Sequence, residues 1–78
     1  MPRKIRQLMA DLRQAGFVEL PRRGKGSHSV WKHPAYPDIP AVTLAGHPGD
    51  DAKPYQERTV RQAVMSVRER ERADEWER

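Results

Sequence analysis

The chain has 78 residues, of which 36% are hydrophobic and 33% are charged, and it contains three histidines and no cysteine. A chain of this length forms one small domain whose core supplies only a few kcal/mol of net stability, roughly 3–5. The absence of cysteine excludes a disulfide framework and a thiolate zinc site. The chain has no run of about 20 apolar residues, which is the length that a membrane-spanning helix needs. No apolar segment follows the basic start either, so we expect a cytoplasmic protein.

The net charge of +4 is distributed unevenly along the chain. Residues 1–33 carry eight basic residues against two acidic ones, a net +6, whereas residues 68–78 carry four against five, a net −1. A basic front half indicates a polyanionic partner such as nucleic acid. A basic surface that only confers solubility has the same composition, so the charge alone leaves both interpretations open.

Residues 3–15 are predicted to form an amphipathic helix. Pro2 suits the start of a helix, and Gly16 can adopt the left-handed conformation that ends one. The apolar side chains recur with the spacing of one helical face. They are Ile5, Leu8, Met9 and Leu12.

Three short strands are predicted to follow. The first spans residues 17–22 and the second spans residues 27–33, and the intervening "RRGKG" has the glycines of a hairpin turn. The segment "PAYPDIP" holds three prolines and is predicted to be a loop. The third strand spans residues 41–44, with Val42 and Leu44 on one face.

A second helix is predicted to begin near Pro54, because proline fits the first helical turn. Its apolar stripe consists of Val60, Ala63, Val64 and Val67. Residues 68–78, which follow it, alternate in charge, and their one large apolar residue is Trp76. This segment is either a solvated helical extension or a frayed tail. Arg70 and Asp74 have the i, i+4 spacing of an ion pair, and Trp76 is a candidate anchor for a partner.

The order helix, three strands, helix predicts an α+β fold. We expect a single domain over residues 1–78, with a core of about residues 3–67. Two helices with one apolar stripe each can cover one face of a three-stranded antiparallel sheet, and they leave the other face to solvent or to a partner.

The spacing of the histidines argues against a metal site. His28 and His33 are five residues apart, so on one extended strand they point to opposite faces. The neighbouring carboxylates Asp50 and Asp51 belong to a different loop from His28. We therefore expect no metal. His33, before Pro34 at a strand end, is interpreted as a residue without chemical function. His47 lies in a loop beside Pro48, where the same interpretation is open.

His28 has a different setting, because it follows Gly26-Ser27 at the mouth of the cationic hairpin. Glycine lets a large ligand approach the backbone, and the surrounding cations can hold phosphates. These cations are Arg22, Arg23, Lys25 and Lys32. Imidazoles ordinarily titrate near neutral pH, at about 6.5. One placed against RNA can take the proton of a ribose 2′-OH or protonate the leaving oxygen. RNA brings its own nucleophile, so this chemistry requires neither a metal nor a cofactor.

The sequence resembles the HicA family over about residues 4–67. The resemblance is carried by "GF" after the first helix, "GKGSHSVWKHP", "AVTLAGH" and "KPYQERTVRQAV" in this order. Gly26-Ser27-His28 is its most specific element, supported by the downstream His47. The chain departs from the family at Ala45-Gly46, where a proline is common, and in the charged extension.

The resemblance implies a toxin of a type II toxin–antitoxin system, with a fold like that of the double-stranded RNA-binding domain. It implies metal-independent cleavage of mRNA with His28 as general acid/base. His47 is a candidate second catalytic group. Gly26 and Ser27 would position the phosphate or the imidazole. The implied partners are the mRNA substrate and a HicB-type antitoxin, with DNA bound only indirectly through the antitoxin.

Two other functional classes fit the sequence less well. A non-catalytic RNA-binding module of the same fold usually has a lysine cluster at the start of the second helix, whereas this chain has Lys53 beside Asp51. A pure interaction protein would use the free sheet face and the extension, and it would have no RNA affinity. Trp31 is interpreted as a packing residue, because a lone aromatic on a strand usually packs.

Overall fold

The computed structural model of the protein describes residues 2–21 and 28–76, and of Trp76 only the backbone. Its two helices and three strands follow the order α-β-β-β-α, which confirms the α+β prediction and a fold like that of the double-stranded RNA-binding domain. The elements are α1 (Ile5–Gln14), β1 (Val18–Glu19), β2 (Ser29–Lys32), β3 (Val42–Leu44) and α2 (Pro54–Trp76).

The strands form an antiparallel sheet in the order β1-β2-β3. Ser29 pairs with Leu44, and Trp31 pairs with Val42 on one side and with Glu19 on the other. Because paired residues point to the same face and neighbours along a strand alternate, this register defines an inner face. Its members in β2 and β3 are all buried. They are Ser29, Trp31, Val42 and Leu44.

The helices cover the inner face and complete one core. The predicted apolar stripe of α1 is buried in full, and the predicted stripe of α2 is buried except for Val64, which packs partly buried against the core. At the end of α1, Gly16 adopts the predicted left-handed conformation, with φ +101°. This turns the chain so that Phe17, itself buried, enters the core before β1.

Trp31 lies at the centre of this core with no exposed surface. Its indole Nε1–H donates to the buried hydroxyl of Ser29, with 3.0 Å between the two atoms. The guanidinium of Arg13 lies 5.0 Å from the ring centroid, over its face. The packing interpretation of Trp31 is therefore confirmed, and the indole has no face on which a nucleobase could stack.

The β1 strand is shorter than predicted and orients its apolar residues outwards. Val18 is 53% exposed and Leu20 is also exposed, whereas Glu19 lies on the inner side within 4.0 Å of Arg13. Glu19 occupies the margin of the core, where its carboxylate meets a guanidinium. The predicted hairpin turn "RRGKG" lies outside the described residues.

The charged extension is helical up to Trp76 and contacts the proline-rich loop. Arg70 pairs with Asp38 rather than with Asp74 in the described part of the chain, and its guanidinium lies over the Tyr36 ring at 5.0 Å. The Tyr36 hydroxyl donates to Asp74 with 3.2 Å between the oxygens. The loop thus connects β2 with the extension, and the predicted Arg70–Asp74 pair is replaced by these tertiary contacts.

Candidate functional site

The register of the sheet places His28 and His47 at the same end. His28 directly precedes Ser29, the first residue of β2, and Ser29 pairs with Leu44, the last residue of β3. His47 follows Leu44 by three residues. Because the two strands are antiparallel, the start of β2 and the end of β3 lie side by side. The two histidines that the sequence singled out as candidate catalytic groups therefore follow or precede paired strand ends.

The side chain of His28 is exposed to solvent. Ser29 faces the core, and the alternation of side chains along a strand therefore assigns His28 to the outer side of the sheet. The hydrogen bond between the Ser29 and Trp31 side chains anchors the first residues of β2, directly after His28, in the core. The imidazole thus projects from a firmly held strand end into solvent, where a large ligand can reach it.

His47 lies in an ordered turn. Gly46 has φ +115°, a conformation that glycine adopts without strain. Next, the backbone N–H of His47 donates to the Asp50 carboxylate at 2.9 Å, and the N–H of Asp50 donates to the His47 carbonyl at 2.9 Å. The turn is attached to α1, because the N–H of Ile5 donates to the Asp50 carbonyl. The side chain of His47 is exposed above this turn.

The start of α2 reaches the same end of the sheet through Gln56. This side chain is only 4% exposed, and its Nε2 donates to the carbonyl of Ala45 at 2.9 Å. Its Oε1 accepts from the N–H of Lys53 at 2.8 Å, which caps the helix. Gln56 therefore ties the first turn of α2 to the residue that follows β3. Sequence analysis did not identify this residue, because a glutamine in a polar stretch gives no signal of burial.

Lys32 lies at the other end of β2 from His28. Its ammonium group donates to the carbonyls of Pro37 at 2.7 Å and Ile39 at 3.0 Å. Both acceptors belong to the proline-rich loop, so the lysine holds this loop against the sheet. The structure does not bring Lys32 and His28 together. The other predicted RNA-binding residues lie outside the described residues: Arg22, Arg23, Lys25, Gly26 and Ser27.

His33 is a buried structural residue. The N–H of Ala35 donates to its Nδ1 at 3.1 Å, so in the neutral ring the hydrogen lies on Nε2, which donates to the Ala15 carbonyl at 3.1 Å. The ring also contacts Phe17 edge-on, with centroids 5.4 Å apart. These bonds connect the end of α1 with the end of β2. No group of three potential metal-ligating side chains occurs within residues 2–21 and 28–76.

A groove of about 670 Å³ lies between α1 and α2, away from the two exposed histidines. Its described lining includes Asp11, Glu57 and Met65, and none of the predicted site residues. At one end of the groove the Arg3 guanidinium donates to the Asp11 carboxylate at 2.6 Å, and this hydrogen bond raises the pKa of Arg3 above its ordinary value. Within residues 2–21 and 28–76, α1 and α2 both lack the length and apolar composition of a membrane-spanning helix.

The fold defines a small α+β protein of the double-stranded RNA-binding-domain type, with two exposed histidines at one end of its sheet. A family model described as the HicA toxin of bacterial toxin–antitoxin systems matches residues 5–64. The chain belongs to the HicA toxin family and is thus a toxin of a toxin–antitoxin system. No curated protein and no solved structure matches the chain. The family indicates that an antitoxin is its partner.

Proposed function

We propose that the protein is a metal-independent endoribonuclease that cleaves mRNA, with His28 as a general acid/base. The observation that carries this proposal is the position of His28. It is exposed at the start of β2, beside the end of β3 that leads to His47, in a chain whose first 33 residues have a net charge of +6. Two imidazoles at one sheet end supply the two proton-transfer groups that RNA cleavage uses.

The reaction follows from the chemistry of RNA. A base takes the proton of the ribose 2′-OH, and the 2′-oxygen then forms a bond to the adjacent phosphorus. The bond from phosphorus to the 5′-oxygen breaks, and an acid protonates this oxygen. The products are a 2′,3′-cyclic phosphate and a 5′-hydroxyl. We assign one of the two proton transfers to His28 and the other to His47.

The cations of the β1–β2 connection are proposed to bind the RNA backbone. Arg22, Arg23 and Lys25 belong to the segment that directly precedes His28, together with Gly26 and Ser27. Positive charge next to the reacting phosphate stabilises the charge that develops on its oxygens. We assign Lys32 a structural role instead, because its ammonium group already binds two carbonyls of the proline-rich loop.

A HicB-type antitoxin is proposed to neutralise the toxin by covering the end of the sheet that presents His28. On the outer sheet face, Leu20 is exposed where its N–H donates to the Val30 carbonyl, two residues after His28, and Val18 is exposed further along β1, which gives a protein partner apolar surface to bury. Operator DNA would then be bound by the antitoxin, with the toxin attached to it indirectly.

The test compares the wild-type protein with His28→Ala and His47→Ala on a labelled RNA in the presence of chelator. We expect cleavage by the wild type, a 2′,3′-cyclic phosphate at the new end, and a loss of at least about a hundredfold in rate for His28→Ala, as is typical of removing a general acid or base. Circular dichroism of each variant should match the wild type, because both side chains are exposed.

Two results would contradict the proposal. Cleavage by His28→Ala at the wild-type rate would remove this residue from the mechanism. Binding of duplex RNA without any strand scission by the wild type would favour the non-catalytic RNA-binding module instead. A substrate with a 2′-deoxy sugar at the cleavage position should remain intact, and its cleavage would exclude attack by the 2′-oxygen.

A further inference from the structure

Among the phenylalanine, tyrosine and tryptophan residues whose side chains the structure describes, Tyr55 is the most exposed. It is 52% exposed, whereas Phe17 and Trp31 are buried in the core. The remaining described tyrosine, Tyr36, is engaged with Asp74 through its hydroxyl and with His33 through its ring. Large exposed aromatic rings are costly to leave in water, and on proteins that bind single-stranded RNA they stack on nucleobases.

The first turn of α2, which carries Tyr55, is attached to the end of the sheet that His28 precedes. Gln56, the neighbour of Tyr55, donates to the carbonyl of Ala45. Ala45 directly follows Leu44, which pairs with Ser29, the residue after His28. The ring therefore projects from the helical turn that is attached to this end of the sheet. Its backbone is ordered, because the Tyr55 carbonyl accepts a hydrogen bond from the Thr59 hydroxyl at 2.8 Å.

The charge around Tyr55 suits a polyanion. On the helix, Arg58, Thr59 and Gln62 lie on the same side as Tyr55 by the i, i+3, i+4, i+7 rule, and all three are exposed. None of them is acidic, and Asp51, which precedes the helix, is paired with the ammonium group of Lys4. The nearest carboxylate of this helix, that of Glu57, lies on another side, where it lines the groove against α1. An exposed ring beside an exposed guanidinium gives a stacking surface with an adjacent phosphate contact.

We infer that Tyr55 stacks on a nucleobase next to the cleaved phosphate and that Arg58 contacts the RNA backbone beside it. This inference rests on the proposed ribonuclease function and adds a residue that selects the nucleotide flanking the cut. An apolar protein surface would also accept an exposed tyrosine. The exposed guanidinium of Arg58 on the same side of the helix as the ring favours RNA, and binding of the antitoxin is the alternative outcome of the test.

The test measures binding of fluorescein-labelled single-stranded RNA to His28→Ala protein, which leaves the RNA uncut. In this background Tyr55→Leu keeps an apolar side chain but removes the aromatic ring, and Tyr55→Phe keeps the ring. We expect Tyr55→Leu to bind about tenfold or more weakly, which matches the ~1–3 kcal/mol of one stacked base. Tyr55→Phe should bind like its parent. Met65→Ala is the matched control, because Met65 is 51% exposed on the groove side of α2.

In the cleaving protein, Tyr55→Leu should raise KM and change the nucleotide preference beside the cut. Equal RNA affinity of Tyr55→Leu and its parent would overturn the inference. Weaker binding to a copurified antitoxin together with unchanged RNA affinity would also overturn it and would reassign the ring to the protein partner. These outcomes differ from failure of the ribonuclease proposal itself, in which the wild type neither binds nor cleaves RNA.

Discussion

Replacing Ser29 with alanine should destabilise the protein through one buried hydrogen bond. The Ser29 hydroxyl accepts from the indole N–H of Trp31 at 3.0 Å, and both residues are fully buried. In Ser29→Ala the indole N–H has lost this partner in an apolar core, which costs about 1–3 kcal/mol. The core of a domain of this size supplies only a few kcal/mol in total, roughly 3–5. The variant should therefore lose a large share of its stability.

The assay is thermal and urea unfolding of four proteins: the wild type, Ser29→Ala, Trp31→Phe and the double variant. A loss of 2 kcal/mol corresponds to a decrease in Tm of about 8–16 °C for a domain of this size. The Trp31→Phe protein has no indole N–H to satisfy, so Ser29→Ala should cost much less in that background. The difference between the two costs isolates the hydrogen bond. An equal cost in both backgrounds would refute this explanation and would assign the loss to the cavity that the hydroxyl leaves.

Two further predictions concern Gly16 and Tyr36. Gly16→Ala should lower the free energy of unfolding by more than about 1 kcal/mol, because φ is +101° and an added Cβ would lie 2.6 Å from Nε2 of His33. Gly49→Ala is the control, because its added Cβ would have no heavy atom within 4 Å. Equal losses of stability in the two variants would contradict the prediction. Desolvation, and then the hydrogen bond to Asp74, raise the pKa of Tyr36 above its ordinary value of 10.0. The stability that the protonated Tyr36 hydroxyl contributes is therefore complete below pH 10.0. It is lost as the pH rises through the raised pKa, because the phenolate would then face the Asp74 carboxylate. Urea unfolding between about pH 8 and 11 should show this loss in the wild type and not in Tyr36→Phe, and parallel curves for the two proteins would exclude it.

The docked extension distinguishes this chain from the part that the family model matches. The match ends at residue 64, and α2 continues to Trp76. Arg70 and Asp74 in this extension bind Asp38 and Tyr36 in the proline-rich loop. Lys32 holds the same loop from the sheet. The loop is therefore fixed from two sides, although its three prolines have no backbone N–H and leave it few hydrogen bonds of its own.

Local pattern was sufficient to predict the order of elements. The spacing of Ile5, Leu8, Met9 and Leu12 defines a helical face whatever the helix packs against, and Gly16 ends it because glycine adopts a positive φ without strain. The alternation of Val42 and Leu44 likewise predicts their common burial. The outward orientation of Val18 was not predictable, because β1 has two residues and its register depends on pairing with Trp31 and Lys32.

The sequence by itself determined the helices, the strands and the chemistry available to His28, because periodicity and residue type are local properties. Only the tertiary structure decided which end of the sheet each histidine occupies and which polar side chains are buried. His33 and His47 are alike as residues beside a proline, yet one is clamped between Ala15 and Ala35 and the other is exposed above a turn. The difference arises from strand register and from contacts between residues far apart in the chain, which no local pattern encodes.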